Sequence, residues 1–326
     1  MKIIITGATG SLGAYFTRWF SAKGHEVIAV GRIKNPPPRL TECATYLQAD
    51  ITTSFSLPEA DVCIHTAAIA DDKVKASDLY ITNVIGTENV AAAAKHCKTF
   101  IHISTSSVYV SSDKPLSEDM AGEKQGEKLS AYGKSKWLAE ELLIKTYKNH
   151  SCYILRPRGI YGAGDKVLLP RLLKLVRNNK MIRAGSMNVN LSMTNFANFA
   201  IAVESCIAAE KKELHVYNVA DDEVYTLYDV LKKLLAALYS SELPEKKIPL
   251  WIFKCMSALK MGEATPLFIN TVSKSLVLDI AKIKREMNYA PVFNFDNSLK
   301  EIADWVTAVG GIQVVKEADP RLAWEW

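Results

Sequence analysis

The chain has 326 residues, 48% of them apolar and 23% charged, with a net charge of +5 at neutral pH. Those proportions are ordinary for a globular protein and exclude a disordered, collagen-like or coiled-coil chain. A small positive charge spread along the chain favours anionic ligands but gives no footprint for nucleic acid. No apolar run reaches 18 residues, so no membrane-spanning helix and no stable membrane insertion is expected. The six cysteines are scattered without a CxxC pair, which reads as free thiols in a reducing cytoplasm, and no His/Cys cluster has metal-ligand spacing.

The first 160 residues alternate short β-branched runs with helical patterns. Strands are expected at 2–6, 26–30, 45–48, 61–65, 99–104 and 151–156. Helices are expected at 11–23, 76–97 and 129–147. Strands separated by helices imply βαβ units and a parallel sheet, and their nearly continuous apolar character implies burial on both faces. The fold class is therefore α/β, a doubly wound parallel sheet. Residues 1–160 form the dinucleotide-binding domain, and 161–326 a smaller substrate lobe with some segments returning to the sheet. In that second part, helices are expected at 167–178, 195–209, 226–238, 281–287 and 297–309, with a strand at 214–219.

The first strand runs into Thr6-Gly7-Ala8-Thr9-Gly10-Ser11-Leu12-Gly13 and then a helix. Gly7 permits a tight turn, Gly10 lets backbone approach a pyrophosphate, and Gly13 lets helix pack on strand. Thr9, Ser11 and Leu12 complete a loop whose helix N-terminus presents free N–H groups to phosphates. The second strand ends Val30-Gly31-Arg32. An acid there would suit a ribose 2′-hydroxyl, whereas Arg32 suits a 2′-phosphate, so NADP(H) is favoured over NAD(H). Asp50 and Ile51 follow the third strand beside the adenine. Ala67 and Ala68 follow the fourth, where small side chains let a cofactor lie close.

Tyr132 and Lys136 stand four positions apart at the start of a helix, hence on one face. A phenol titrates near pH 10, and a neighbouring ammonium lowers that value, making the tyrosine a usable general acid or base. The fifth strand ends in Ser104-Thr105-Ser106-Ser107-Val108-Tyr109, hydroxyls placed at the carboxyl end of a parallel strand, where ligands bind. His65, His102 and His215 lie in strand patterns and read as satisfied structural residues. The stretch 243–261 reads as an amphipathic helix, with a lid over substrate or a membrane-touching surface as alternatives. Trp324 and Trp326 suggest a docked tail.

Taken in order, TGATGSLG at 6–13, HTAA at 65–68, NVIGTENV at 83–90, STSSVY at 104–109, YGKSK at 132–136 and LRPRGIYGAGD at 155–165 resemble the extended short-chain dehydrogenase/reductase superfamily. The second half resembles its 3β-hydroxysteroid dehydrogenase/isomerase-type branch. The resemblance implies hydride transfer at a nicotinamide and a Tyr/Lys/Thr acid–base site. Tyr132 would exchange the proton, Lys136 would hold the ribose and depress the tyrosine pKa, and Thr105 would orient the substrate oxygen. It also places Pro157 among the cofactor contacts and suggests a homodimer. Nucleotide-sugar members usually carry an Arg where Asn190 and Leu191 stand. Its absence argues for a secondary alcohol or ketone of a small, fairly apolar molecule, with a nucleotide-sugar epimerase or dehydratase holding NAD as the alternative. A cofactor-sensing binding protein is a third reading, against which both Tyr132 and Lys136 are kept. Val110 and the charged stretch 113–130 depart from the family pattern at the edge of the substrate pocket.

Overall fold

The computed structural model describes residues 1–123, 129–147, 151–209, 211–259 and 265–319. Six strands, β1 (Lys2–Thr6), β2 (Glu26–Gly31), β3 (Thr45–Gln48), β4 (Val62–His65), β5 (Thr99–Ile103) and β6 (Ser151–Pro157), join the later strand Leu214–Val219 in one seven-stranded sheet. Every pairing in it is parallel. From one edge the order is Leu214–Val219, β6, β5, β4, β1, β2, β3.

Alternation within β1 shows why these strands are apolar throughout. Ile3 and Ile5 enter a core with Phe16, Phe20, Tyr153 and Phe199, while Ile4 enters a second core with Cys63, Val90, Leu143 and Ile154. Each face is roofed by helices, α1 (Ser11–Ala22) and Phe196–Ala209 on one side, Gly86–Ala93 and Ala131–Thr146 on the other. The remaining lobe has its own core, including Leu173, Met187, Leu231, Leu234 and Trp305. All six cysteines are free. Among the described residues, no helix is long and apolar enough to cross a membrane.

Three local expectations are corrected. The helix expected over 167–178 stops at Leu173, and a hairpin pairing Val176–Arg177 with Lys180–Ala184 follows. Asn178 and Asn179 take φ of 50° and 53°. Two consecutive left-handed residues make a tight hairpin turn, and asparagine tolerates that region better than most residues. The helix expected over 76–97 is interrupted by one π-helical turn at Ile81–Ile85. In that turn Asn83 bridges two other elements: its Oδ1 accepts from Ile69 N–H (2.8 Å), and its Nδ2 donates to Ser135 Oγ (2.9 Å). The 243–261 stretch holds a strand, Glu245–Ile248, before the helix Leu250–Ala258, and Trp251 is exposed. Trp324 and Trp326 lie outside the described residues.

Candidate active site

The glycine loop has the form that a diphosphate needs. Gly7 adopts φ +70°, and a Cβ there would meet the backbone of Ala67 at 2.7 Å. A Cβ on Gly13 would lie 2.2 Å from Gly7 O, so only glycine allows α1 to start against the turn. Helix α1 has no side-chain N-cap bond and no acidic residue in its first turn, which leaves N–H groups and positive end-charge for an anion. These residues therefore fit the cofactor implied by the sequence. Ser11 Oγ accepts from Lys166 N–H (3.2 Å), bringing the lobe's first loop onto the cradle. Arg32 is exposed at the end of β2 and lies close enough to help hold the Asp50 carboxyl below its usual range, after Thr52's two hydrogen bonds. Thr9 approaches Gly31, ahead of Arg32. Ile51 is buried against Gly86, where a Cβ would lie 2.7 Å from its Cδ1, so it packs under the helix that Gly86 starts. Ala67 is half-buried behind the loop and Ala68 is exposed. Pro157 is buried beside Val219.

The helix Ala131–Thr146 starts at Ser130, whose Oγ accepts from Gly133 N–H (3.1 Å). A Cβ on Gly133 would fall 2.1 Å from Ser107 O. That glycine lets the helix abut the turn after β5, and so brings Tyr132 to Thr105. The Thr105 hydroxyl lies close enough to the Tyr132 phenol to lower its pKa. Thr105 Oγ1 also accepts from Ser107 N–H (3.1 Å), which fixes its rotamer. Asp72 accepts from Tyr132 N–H (3.1 Å). The hydroxyl beside Tyr132 is thus Thr105's, the one that the family register selects.

The electrostatics depart from the sequence expectation. Burial, and next the Asp72 carboxylate, push the Tyr132 phenol up to about 12, against the lowering by Thr105 and Arg171. Its protonated, donating form is the stable one at neutral pH. Lys136 does not offset this, because its ammonium is turned elsewhere. It is buried, and Nζ lies 3.0 Å from His102 Nε2. Burial lowers its pKa to about 7, with Glu140 opposing. His102 is held neutral by burial and by Lys136. Where Lys136 carries its proton it donates to Nε2 and the ring proton sits on Nδ1; in either form Nδ1 is buried without a partner. His102 is therefore not the fully satisfied structural histidine that its strand position suggests. His65 is one: Nδ1 meets Thr6 Oγ1 (2.7 Å) and Nε2 meets Thr87 Oγ1 (3.0 Å).

Behind the site lies a polar cluster that the sequence does not announce. Glu140 accepts from Arg156 Nε (3.1 Å) and from Ser104 Oγ. Arg156 Nη1 donates to Tyr109 Oη (2.8 Å) and Glu118 O (2.7 Å). It ties β6, β5 and the helix together beneath Tyr132 and Lys136. Asp165, buried, accepts the N–H groups of Val167, Leu168 and Leu169 and so caps the helix Leu168–Leu173; burial raises its carboxyl to about 6. Arg171 on that helix donates to Ala70 O (3.4 Å), across the loop that leads to Asp72.

Residues 3–219 match the family described as the NAD dependent epimerase/dehydratase family. A 3-beta-hydroxysteroid dehydrogenase of Mycolicibacterium neoaurum is 24% identical, with 99% of this chain and 96% of that protein covered. A UDP-glucose 4-epimerase of Vibrio cholerae is 26% identical, with coverage of 93% and 94%. The crystal structure of a UDP-glucuronic acid 4-epimerase from Bacillus cereus in complex with NAD superposes with a TM-score of 0.75 over 95% of this chain and 98% of that one, at 21% identity.

Proposed function

Because the chain belongs to the NAD dependent epimerase/dehydratase family, within the extended short-chain dehydrogenase/reductase superfamily, and is an enzyme of that type, we propose that it is an NADP(H)-preferring oxidoreductase interconverting a secondary alcohol and a ketone. Its substrate is small and largely apolar. The observation that carries this reading is the Tyr132–Thr105 hydroxyl pair at the carboxyl end of β5, with Lys136 one helical turn on. When bound, the nicotinamide supplies the hydride. The chain supplies everything else. Thr105, fixed by Ser107, orients the substrate oxygen. Tyr132, protonated at neutral pH, donates the proton that a reduced carbonyl needs, and takes it back in the oxidative direction. Lys136 is carried on the same helix one turn on, and would hold the ribose hydroxyls on exchanging its His102 contact for them. Arg32 at the end of β2, with no acidic residue in its place, supports the 2′-phosphate reading.

The epimerase of Vibrio cholerae supports a second reading, in which NAD stays bound and a nucleotide sugar is the substrate. The stretch 185–194 carries no arginine for a sugar diphosphate, which favours the first. The test is Tyr132→Phe. Turnover of ketones should fall by about 100-fold or more while NADPH affinity stays within a few-fold, since one general acid contributes about 10²–10⁴. Undiminished turnover removes Tyr132 from the chemistry.

A further inference from the structure

Arg158 stands just beyond β6, and its backbone meets one hydroxyl. Thr194 Oγ1 accepts from Arg158 N–H (3.2 Å), and its single proton is shared between Val219 O (2.9 Å) and Arg158 O (3.0 Å). Its side chain is half-buried, and Nε is shut off from solvent without any hydrogen-bond partner. Among the described residues it has no ion pair, and burial alone lowers its pKa to about 10, with no carboxylate opposing. Arg156, two residues earlier, is fully matched by Glu140, Tyr109 and Glu118. Arg183 has Glu245 and Ser186 O. Arg156 and Arg183 are thus matched, whereas Arg158 keeps a buried Nε without a partner.

Sheltered charges are ordinarily paired, because desolvating an ion is costly. Arg158 also occupies the end of the sheet where ligands enter parallel α/β proteins. Ile103 of β5 pairs with Leu155 of β6, so Thr105 is level with Pro157, next to Arg158. The phosphate cradle is elsewhere, at the end of β1, three strands from β6 across β5 and β4. A guanidinium presents a planar fork that matches a carboxylate in two hydrogen bonds.

We propose that Arg158 recognises a carboxylate on the substrate, so that the molecule reduced or oxidised at Tyr132 is an apolar chain bearing an acid group. This inference rests on the acid–base reading above only for the position of the reacting carbon. The cation draws the acid group to the β6 end and leaves the carbonyl to Thr105 and Tyr132.

The experiment is isothermal titration of the NADPH-saturated full-length enzyme with octanoate and with octanamide. Octanoate should bind at least tenfold more tightly than octanamide. Arg158→Met should abolish that difference and leave octanamide unchanged, and Arg158→Lys should keep part of it. Arg158→Gln serves the same purpose if the Met variant fails to fold. Equal binding of the two ligands, no binding of octanoate, or a preference that survives in the Met and Gln variants overturns the proposal. So does a loss of NADPH affinity with octanoate binding intact, because the anion would then be the cofactor's. Tyr132→Phe should retain the octanoate preference while losing turnover. Retained turnover in that variant counts against the acid–base reading alone, and an octanoate preference that persists in the Arg158 variants counts against the carboxylate site alone.

Discussion

Lys136→Met should make the cofactor-free protein more stable and inactive. Lys136 is 1% exposed, and its pKa falls from 10.5 to about 7 on folding. The unfolded chain therefore binds the proton more tightly between those values, and stability contributed by this site rises with pH across that window. At pH 7 and below, burying the lysine costs about 4 kcal/mol relative to a neutral side chain. Methionine keeps the length and the apolar stem but needs no proton. It also removes the partner of His102 Nε2, a loss of about 1–2 kcal/mol. The net gain is about 2–3 kcal/mol at pH 7, or roughly 3–6 °C in thermal midpoint for a chain of this size. By pH 10.5 the gain should vanish and reverse sign, leaving only the His102 loss. The assay is thermal unfolding of both proteins at pH 7, 8.5 and 10 without nucleotide. A variant destabilised at pH 7, or a difference that does not change with pH, refutes the reasoning. Tight NADPH binding should restore the wild type's standing, because the ligand stabilises only the folded state.

Three other expectations follow from single contacts. Gly133→Ala improves helix propensity by about 1 kcal/mol, yet its Cβ would sit 2.1 Å from Ser107 O, so the variant should lose about 1–3 kcal/mol and much of its turnover; thermal unfolding checks this, and a stabilised variant would contradict it. Glu140→Gln leaves the buried Arg156 guanidinium without its counter-charge and should cost about 3–5 kcal/mol, seen as a lower urea midpoint. Arg32→Ala should weaken NADPH about 10- to 100-fold and NADH little in fluorescence titration, the loss of one charged hydrogen bond; equal weakening of both removes Arg32 from the 2′-phosphate.

The local patterns that the sequence carries are those the fold uses locally. β1 at Lys2–Thr6, β3 at Thr45–Gln48, the strand Leu214–Val219 and the helix Ala281–Met287 have the bounds that their periodicity indicates. The glycine loop reads directly from spacing because its chemistry is backbone chemistry within eight residues. The hairpin at Val176–Ala184 escaped because apolar residues at 168–176 fit a helix as well, and only the paired left-handed asparagines break it.

Side-chain positions that depend on contacts between distant segments belong to the tertiary structure. Tyr132 and Lys136 are on one face by helical periodicity, so the pair is legible. That Lys136 turns to His102 rather than Tyr132 depends on β5 lying beneath the helix, 34 residues away in sequence. That Arg156 is matched while Arg158 is not depends on Glu140 reaching one side of β6 and, among the described residues, no acid reaching the other position. Sequence periodicity fixes which face a residue occupies within its own element. Which partner meets it there, and hence its charge state, follows from the packing of elements whose sequences carry no mark of one another.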